Sequence, residues 1–487
     1  MDIGMSFNEI DLKPYFLIQA VRGRGIISQE IESVDIPARH GSYYRRRKKP
    51  PRILEIDIVI DAESPQDLRS KIDDLNEILA VDEPVPINFE DESEWTYYGI
   101  PEQSTEDEEI VSHSRQTLVI KCDDPYKYGD EKIATLNTNE GTIIEYEGSV
   151  PSPPTFELDV LSPTTYVMIG NEDEEYNMIG TPSDEEEEVV SQKDVILSEE
   201  GEGIDQWDTS PTENDPVSGY ITDDGQMVYD GSGIVVSDYG TPSDNENGYG
   251  PAIIRDLGVQ IQDFEIDVNI DTRTDYREEN FRIEIHLFDE GLNMLGKIGI
   301  RDRFRDFHNR SAMARVGEYV DGNTRYVIGS GNYDHNDFGK SSLFNMKWRR
   351  KGDIHEFYVA QVVNGRHQDS LVASYTDRSG NWNGRLQYVQ IYIRTWKGRR
   401  EPYLARVNNL TVYELNEITE DQTPYIVGEG DKVVFNHENK EITINGENAE
   451  EEKAFIGKYF KFKKGENNVA IMPGNIQGLV RWRDIRE

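Results

Sequence analysis

The sequence predicts a mainly β chain, with an α+β domain at its N-terminus and two β-sandwiches after it, one interrupted by the other. Three observations predict it. Strand-like runs bounded by Gly-, Pro-, Asn- or Asp-bearing turns recur along the chain, whereas long helical patterns are few. The 40 glycines and 21 prolines suit an architecture of many turns. A dense acidic stretch, 181–203 (TPSDEEEEVVSQKDVILSEEGEG), falls where one compact β domain stops half finished.

At 487 residues the chain has room for about three domains of roughly 150 residues each. With 26 Tyr, 16 Phe and 6 Trp it can fill real cores. The single cysteine, Cys122, excludes an internal disulfide framework and suits a reducing cytosol. No apolar run approaches the ~20 residues that span a bilayer. The first residues, MDIGMSFNEIDLKPYF, lack the basic-then-apolar layout of a signal peptide, so synthesis in the cytoplasm without one is expected.

The formal charge of −43 argues against nucleic acid or an anionic membrane as partner, since both are polyanions. The charge is local. Residues 171–230 carry 20 Asp+Glu against one lysine, Lys193, a net of −19; residues 251–415 carry 24 Lys+Arg against 23 Asp+Glu, a net of +1. The excess reads as solvation of a connector, not as a property of every surface.

Residues 1–137 read as the α+β domain. Arg52–Ala62 alternates, with Leu54, Ile56, Ile58 and Ile60 on one face. Ser64 caps a helix that has Pro65 at its first position, and Leu68, Ile72, Leu75 and Leu79 form its apolar stripe. Val85–Phe89, Trp95–Ile100 and Thr117–Lys121 read as strands. Arg45–Lys49 (RRRKK) follows a strand ending near Tyr44 and precedes Pro50-Pro51. Its plainer reading is a solvated hairpin tip; the sharper one is an arm reaching a neighbouring subunit.

Residues 138–180 begin a second domain with too few strands to bury a sheet face. Residues 424–487 supply the rest: Asp431–Phe435, Glu441–Ile444, Lys458–Phe462, Asn468–Ile471 and Gly478–Arg483. Together they give about eight short strands, enough for a small sandwich. Between them, 181–203 reads as an acidic tether, 204–417 as an inserted module and 418–423 as a return linker. The module repeats strand runs at Val259–Ile270, Phe281–Phe288, Lys297–Arg301, Tyr326–Ile328, Leu343–Arg349, Ile354–Val363, Leu371–Tyr375, Leu386–Arg394 and Ala405–Tyr413, as a two-sheet antiparallel sandwich does. Gly-Thr-Pro-Ser-Asp occurs at 180–184 and 240–244, which independent polar turns explain better than a repeat.

The ordered set SFNEIDLKPYF, VDIPARHGSYY, PRILEIDIVI with LRSKIDDLNEIL, EPVPINFEDESEWTYY and TLVIKCDDPYKYG resembles siphophage distal tail proteins. At the other end VVFNHENKEITINGEN, YFKFKKGENNVAI and a VRW strand resemble the second domain of the same family. The resemblance covers 1–180 and 424–487. It implies a hexameric ring at the tail tip, joining the tail tube to tail-fibre or receptor-binding proteins. The ring domain would be a split β-barrel with a helix, and the second domain a galectin-like sandwich. Tyr43, Tyr44, Arg45, Arg46, Arg47, Lys48 and Lys49 would form the assembly arm. Some members carry an inserted carbohydrate-binding module, and the insert here resembles a concanavalin- or laminin-G-like sandwich. That implies adsorption to host cell-wall polysaccharide and a place in the virion.

Sugar sites stack aromatic rings on pyranose faces and use amides or carboxylates on hydroxyls. Asn332 with Tyr333, Asn381 with Trp382, and Trp396 sit in stretches of that composition; Tyr333 and Trp382 stand out because Asn and Gly neighbours predict exposed turns. Trp348, in an alternating strand, reads as core. Asp334, Asn336 and Asp337, or Asp321 and Asn323, have calcium-binding atoms, but no loop matches an EF-hand and a solvated turn explains them better, so no cofactor or metal is expected. No GxSxG, HExxH or P-loop occurs. Two function classes remain beside polysaccharide binding: a docking domain for other baseplate proteins and, behind it, a wall-glycan hydrolase. Host species, glycan and bound neighbours are not encoded in any recognisable pattern.

Overall fold

The computed structural model describes residues 3–35, 40–110, 112–138, 141–183, 188–200, 203–209, 219–244, 248–304, 308–319, 325–329, 343–419 and 422–487. Spatial proximity divides the chain into two compact units. One comprises Met1–Gly180, Glu429–Ile442 and Ala449–Glu487; the other comprises Thr181–Gly428 and Thr443–Asn448.

In the first unit, strand Arg52–Asp61 buries Leu54, Ile56, Ile58 and Ile60, as its alternation requires. Helix Pro65–Leu79 starts where Ser64 Oγ accepts the Asp67 N–H at 3.1 Å, and it buries Leu68 and Leu75. Strand Arg52–Asp61 lies between Leu17–Arg22 and His113–Cys122. Strand Thr96–Ile110 joins His113–Cys122 to Val85–Phe89, which pairs with Met5–Phe7. No pairing closes Leu17–Arg22 onto Met5–Phe7 among the described residues. The sheet is therefore open where a split barrel was expected. Cys122 is buried here, and burial pushes its thiol up to about 12, so it is inert.

The remainder of this unit is two sheets. One runs Lys127–Leu136, Ile476–Arg486, Thr155–Val160, Lys432–Asn436 and Glu441–Ile444; the other runs Thr142–Tyr146, Gly465–Met472, Tyr166–Asn171 and Tyr176–Gly180. Phe156 is packed by Phe460 and Phe462 at ring-centroid distances of 5.8 and 6.4 Å, and Trp482 lies 5.8 Å from Phe462. Lys458–Phe462 is not a strand as expected: Phe460 and Phe462 alternate inward about exposed Lys461, but only a single bridge, Phe462 to Ser152, pairs the segment among the described residues.

The second unit is a two-layer sandwich. One sheet orders 226–229, 234–238, Leu404–Leu415, Phe264–Arg273, Leu343–Lys351, Ile354–Val363 and Arg366–Thr376. The other orders Asp208–Thr209, Ala252–Ile261, Leu386–Trp396, Phe281–Phe288, Met294–Asp302, Arg310–Val316 and Arg325–Ile328. Ile266, Val268, Phe281, Ile283, Ile285, Trp348, Ile391 and Leu410 fill the space between them. Trp348 is fully buried, as its strand position implies.

Three sequence expectations change. Val259–Ile270 is two strands, because the chain turns at Gln262-Asp263, where Asp263 Oδ1 accepts the Gly352 N–H at 2.8 Å. Arg310–Val316 is an additional strand, whose inward Ala312 and Ala314 are too small to give a strong periodic signal. The acidic stretch is not a free tether at 188–199. Glu188–Val190 pairs in parallel with Gln422–Pro424, and Lys193–Glu199 pairs with Leu410–Leu415. Lys193, the lone cation of residues 171–230, reaches buried Glu265 at 2.5 Å and lies 4.0 Å from the Tyr413 ring. Burial alone would raise Glu265; Lys193 and Arg349 outweigh it and hold its carboxyl at about 2.

Trp348 Nε1 donates to His355 Nδ1 at 3.3 Å, which requires that nitrogen unprotonated. Burial, then Arg350, lowers His355 to about 4. The unfolded imidazole titrates near ~6.5, so the unfolded chain takes up the proton first and stability falls as pH drops from there towards 4. Replacing His355 by Phe is expected to flatten that decline by up to about 1.4 kcal/mol per pH unit. Denaturant unfolding at several pH values checks it; an unchanged slope contradicts the assignment.

Candidate functional site

Strand alternation gives the second sheet of the sandwich two unlike faces. Ile283, Ile285 and Leu287 point into the core with Val389, Ile391 and Ile393, so Arg282, Glu284 and His286 share the opposite face with Gln390, Tyr392 and Arg394. Arg282 stands opposite Arg394 and Arg301, Glu284 opposite Tyr392 and Gly299, and His286 opposite Gln390 and Lys297. All these side chains are buried.

Glu284 organises the face. It accepts from Lys297 Nζ at 2.9 Å, from Arg282 Nη1 at 3.2 Å and from His286 Nε2 at 3.1 Å. Gln390 Nε2 donates to His286 Nδ1 at 3.1 Å, which leaves the proton on Nε2 for Glu284. Burial opposes ionisation of Glu284, but Lys297 and Arg282 outweigh it, and the carboxyl stays well below its usual range. A hydrolytic pair needs two carboxylates able to exchange a proton. Glu284 is held as a permanent anion, and the register puts no second carboxylate opposite it.

Arg394 ends the face differently. Its guanidinium stacks 4.7 Å from the Trp396 ring, Arg394 is 4% exposed, and its Nε has no hydrogen-bond partner among the described residues. Burial, followed by repulsion from Arg282, lowers it to about 10, so it remains charged at neutral pH. Gly219 and Gly248 make room for it: a Cβ on either would fall within 2.8 Å of Nη1. A half-buried indole beside a buried donor can stack on a sugar ring and bind its hydroxyl oxygens.

The sequence candidates are dispersed. Trp396 lies on this face. Asn381 is exposed in a turn, but Trp382 is not a free platform. It packs on the core 5.9 Å from Tyr375, its backbone N–H donates to Asp377 Oδ2 at 2.8 Å, and Gly317 abuts its Nε1. The Asn-Trp-Asn turn is exposed only at its asparagines. Asn332, Tyr333, Asp321, Asn323, Asp334, Asn336 and Asp337 lie outside the described residues. Among the described residues no His, Cys, Asp and Glu cluster could hold a metal ion. Sequence reasoning missed Arg282, Glu284, His286, Lys297 and Arg394. The usable signal was the strand FRIEIHLF, in which Arg, Glu and His alternate with large apolar residues.

In the first unit, Tyr43 to Lys48 belong to a strand, Ser42–Lys48, whose one partner among the described residues is Glu30–Asp35. The basic run is thus strand, not tip. Tyr43 and Tyr44 are 50% and 65% exposed beside Ile31 and Val34, which are 65% and 49% exposed. Arg46 pairs with Glu32 at 2.7 Å, and Lys49 contacts Glu487 and the Tyr126 ring.

Residues 7–121 match the phage tail protein RIFT-related domain, and residues 405–484 match the siphovirus-type tail component C-terminal domain. The distal tail protein of Bacillus phage SPP1 is 38% identical over 152 residues, 31% of this chain and 60% of that protein. The chain belongs to the siphophage distal tail protein family. The crystal structure of SPP1 Dit is 31% identical and aligns over 37% of this chain and 75% of that one, with a TM-score of 0.35. The CBM2 module of the evolved Dit of Lactobacillus casei BL23 phage J-1 aligns over 47% of this chain and all of that one, at 14% identity and a TM-score of 0.36. An endo-β-1,3(4)-glucanase of family GH16 aligns at 12% identity and a TM-score of 0.33. The sequence relatives are tail components, not enzymes. The second family match begins at 405, inside strand Leu404–Leu415, earlier than the return expected near 424.

Glu284→Gln removes the anion shared by Lys297, Arg282 and His286. It is expected to cost roughly 3 kcal/mol of unfolding free energy. Guanidinium denaturation measures it, and a loss below about 1 kcal/mol, the scale of an exposed pair, would show that the network is not structural.

Proposed function

We propose that this chain is a structural part of a siphophage tail tip that joins the tail tube to the adsorption apparatus, and that its inserted module binds host cell-surface polysaccharide. In this reading residues 1–137 build a hexameric ring. Residues 138–180 with 424–487 form a galectin-like sandwich, and 204–417 form a concanavalin- or laminin-G-like module. The observation that carries it is the arrangement along the chain: between tail-family matches at 7–121 and 405–484 lies a sandwich with a core of its own, which shares only its strand Leu404–Leu415 with the second match. The strand pair Glu30–Asp35 and Ser42–Lys48, with Ile31, Val34, Tyr43 and Tyr44 exposed, supports the ring, since such side chains are covered when a neighbouring copy pairs with them. The Arg394–Trp396 end of the charged face supports the sugar reading. Weak sites repeated around a ring would engage a repetitive glycan together, so that avidity supplies the affinity.

Retention of the full chain on purified host-wall polysaccharide tests the module. Trp396→Ala is expected to weaken it at least tenfold without lowering thermal stability, whereas Trp382→Ala lowers the melting temperature. Absence of retention on every wall preparation favours a docking domain, and release of reducing ends favours a hydrolase. For the ring, light scattering is expected to give six copies, and Tyr43→Ser with Tyr44→Ser to shift the mass towards the monomer. A hexamer indifferent to both changes removes the hairpin from the interface.

A further inference from the structure

The other sheet of the sandwich holds a recess of about 470 Å³, within the ~300–1,000 Å³ typical of ligand sites. A β-bulge shapes it. The register between Phe264–Arg273 and Leu404–Leu415 pairs Asn269 with Asn409 and Ile270 with Val407, leaving Asn408 as the extra residue. Asn269, Asn408 and Asn409 all line the recess.

Their amides are set in one sense. Asn345 Nδ2 donates to Asn269 Oδ1 at 3.1 Å, Arg406 Nε to Asn408 Oδ1 at 2.7 Å, and the Asn269 N–H to Asn409 Oδ1 at 3.2 Å. Each carbonyl oxygen is engaged by the protein, so each NH₂ is the group left to donate, and none of the three donates to a described residue. The carboxylate of exposed Glu200 supplies an acceptor, and the half-buried Tyr229 and Val362 with the exposed Leu343 supply an apolar wall. No lysine or arginine lines the recess among the described residues. Arg406, behind Asn408, is matched by Asp271 at 3.0 Å and Asp230 at 3.1 Å.

Uncommitted amide donors, one carboxylate acceptor, an apolar wall and no cation make a site for a neutral polyol with a C–H face. We propose that this recess binds a neutral sugar residue of the host-surface polysaccharide. The amides of Asn269, Asn408 and Asn409 donate to hydroxyl oxygens, and Glu200 accepts from a hydroxyl. The assignment rests on the reading of the module as glycan-binding, and it adds a contact separate from the Arg394–Trp396 face.

Saturation-transfer NMR on the full chain tests it, with methyl glycosides of glucose, galactose and N-acetylglucosamine as neutral probes and methyl glucuronide and glycerol phosphate as anionic ones. At least one neutral glycoside is expected to be saturated through its ring protons. Asn408→Ala should weaken it about five- to tenfold, the loss of one neutral hydrogen bond. Leu343→Trp, which places an indole at the rim from a side chain already 39% exposed, should abolish the signal that remains in the Trp396→Ala chain without changing the melting temperature. Asn408→Gln, which keeps a donor, should recover part of the affinity. The proposal is overturned if no neutral glycoside is saturated, if the anionic probes are preferred, or if binding is unchanged by Leu343→Trp. If wall polysaccharide is nevertheless retained and lost on Trp396→Ala, the recess alone is wrong. If polysaccharide is not retained either, the glycan reading of the module fails with it.

Discussion

The last strand, Ile476–Arg486, lies between Lys127–Leu136 and Thr155–Val160 and hydrogen-bonds to both along most of its length. Neither neighbour can complete its sheet until the C-terminus has been made and brought back, several hundred residues later in sequence. That pairing is the condition for the rest of the first unit. It aligns Val480 and Trp482 against Phe156 and Phe462, and it ties two strands that follow the N-terminal family match to the matched C-terminal region. Loop-closure entropy grows only logarithmically with loop length, which is why so long an excursion is thermodynamically tolerable. In folding it is demanding, because contacts so distant in sequence form late.

The second unit has a different governing problem: charge inside a sandwich. Arg282, Glu284, His286 and Lys297 are buried on the sheet face that does not meet the core, and Glu265 is buried on the other sheet with Lys193 and Arg349 at its oxygens. Networks of this kind add little net stability over apolar packing, but each leaves a charge exposed to the low-dielectric interior if a member is lost. Their effect is on uniqueness, since a strand slipped by one residue would carry its own charged groups into the apolar core.

What could be read from the sequence followed from the strength of local periodicity. Leu54, Ile56, Ile58 and Ile60 alternate with acids, and Ser64 with Pro65 marks a helix start, so both elements were legible. Val259–Ile270 reads as one strand because the Gln262-Asp263 turn uses neither Gly nor Pro. Lys193–Glu199 was hidden by its acidic setting, although Val195 and Leu197 sit within it. The candidate site was legible only in part. Trp396 was flagged by residue type, but the tertiary packing of Trp382 against Tyr375 is set by distant strands. The amides of Asn408 and Asn409 gain meaning only from a bulge that register alone reveals.

The parallel pair of Glu188–Val190 and Gln422–Pro424 has a consequence for how such a chain changes over generations. Strands that pair lie about 4.8 Å apart, so the segments entering and leaving the sandwich are neighbours in space. A polypeptide whose two ends already touch can be removed or exchanged as a cassette without pulling the flanking strands out of line. Recombination at these two short segments would then exchange the whole sandwich while leaving the strands on either side of it paired as they are.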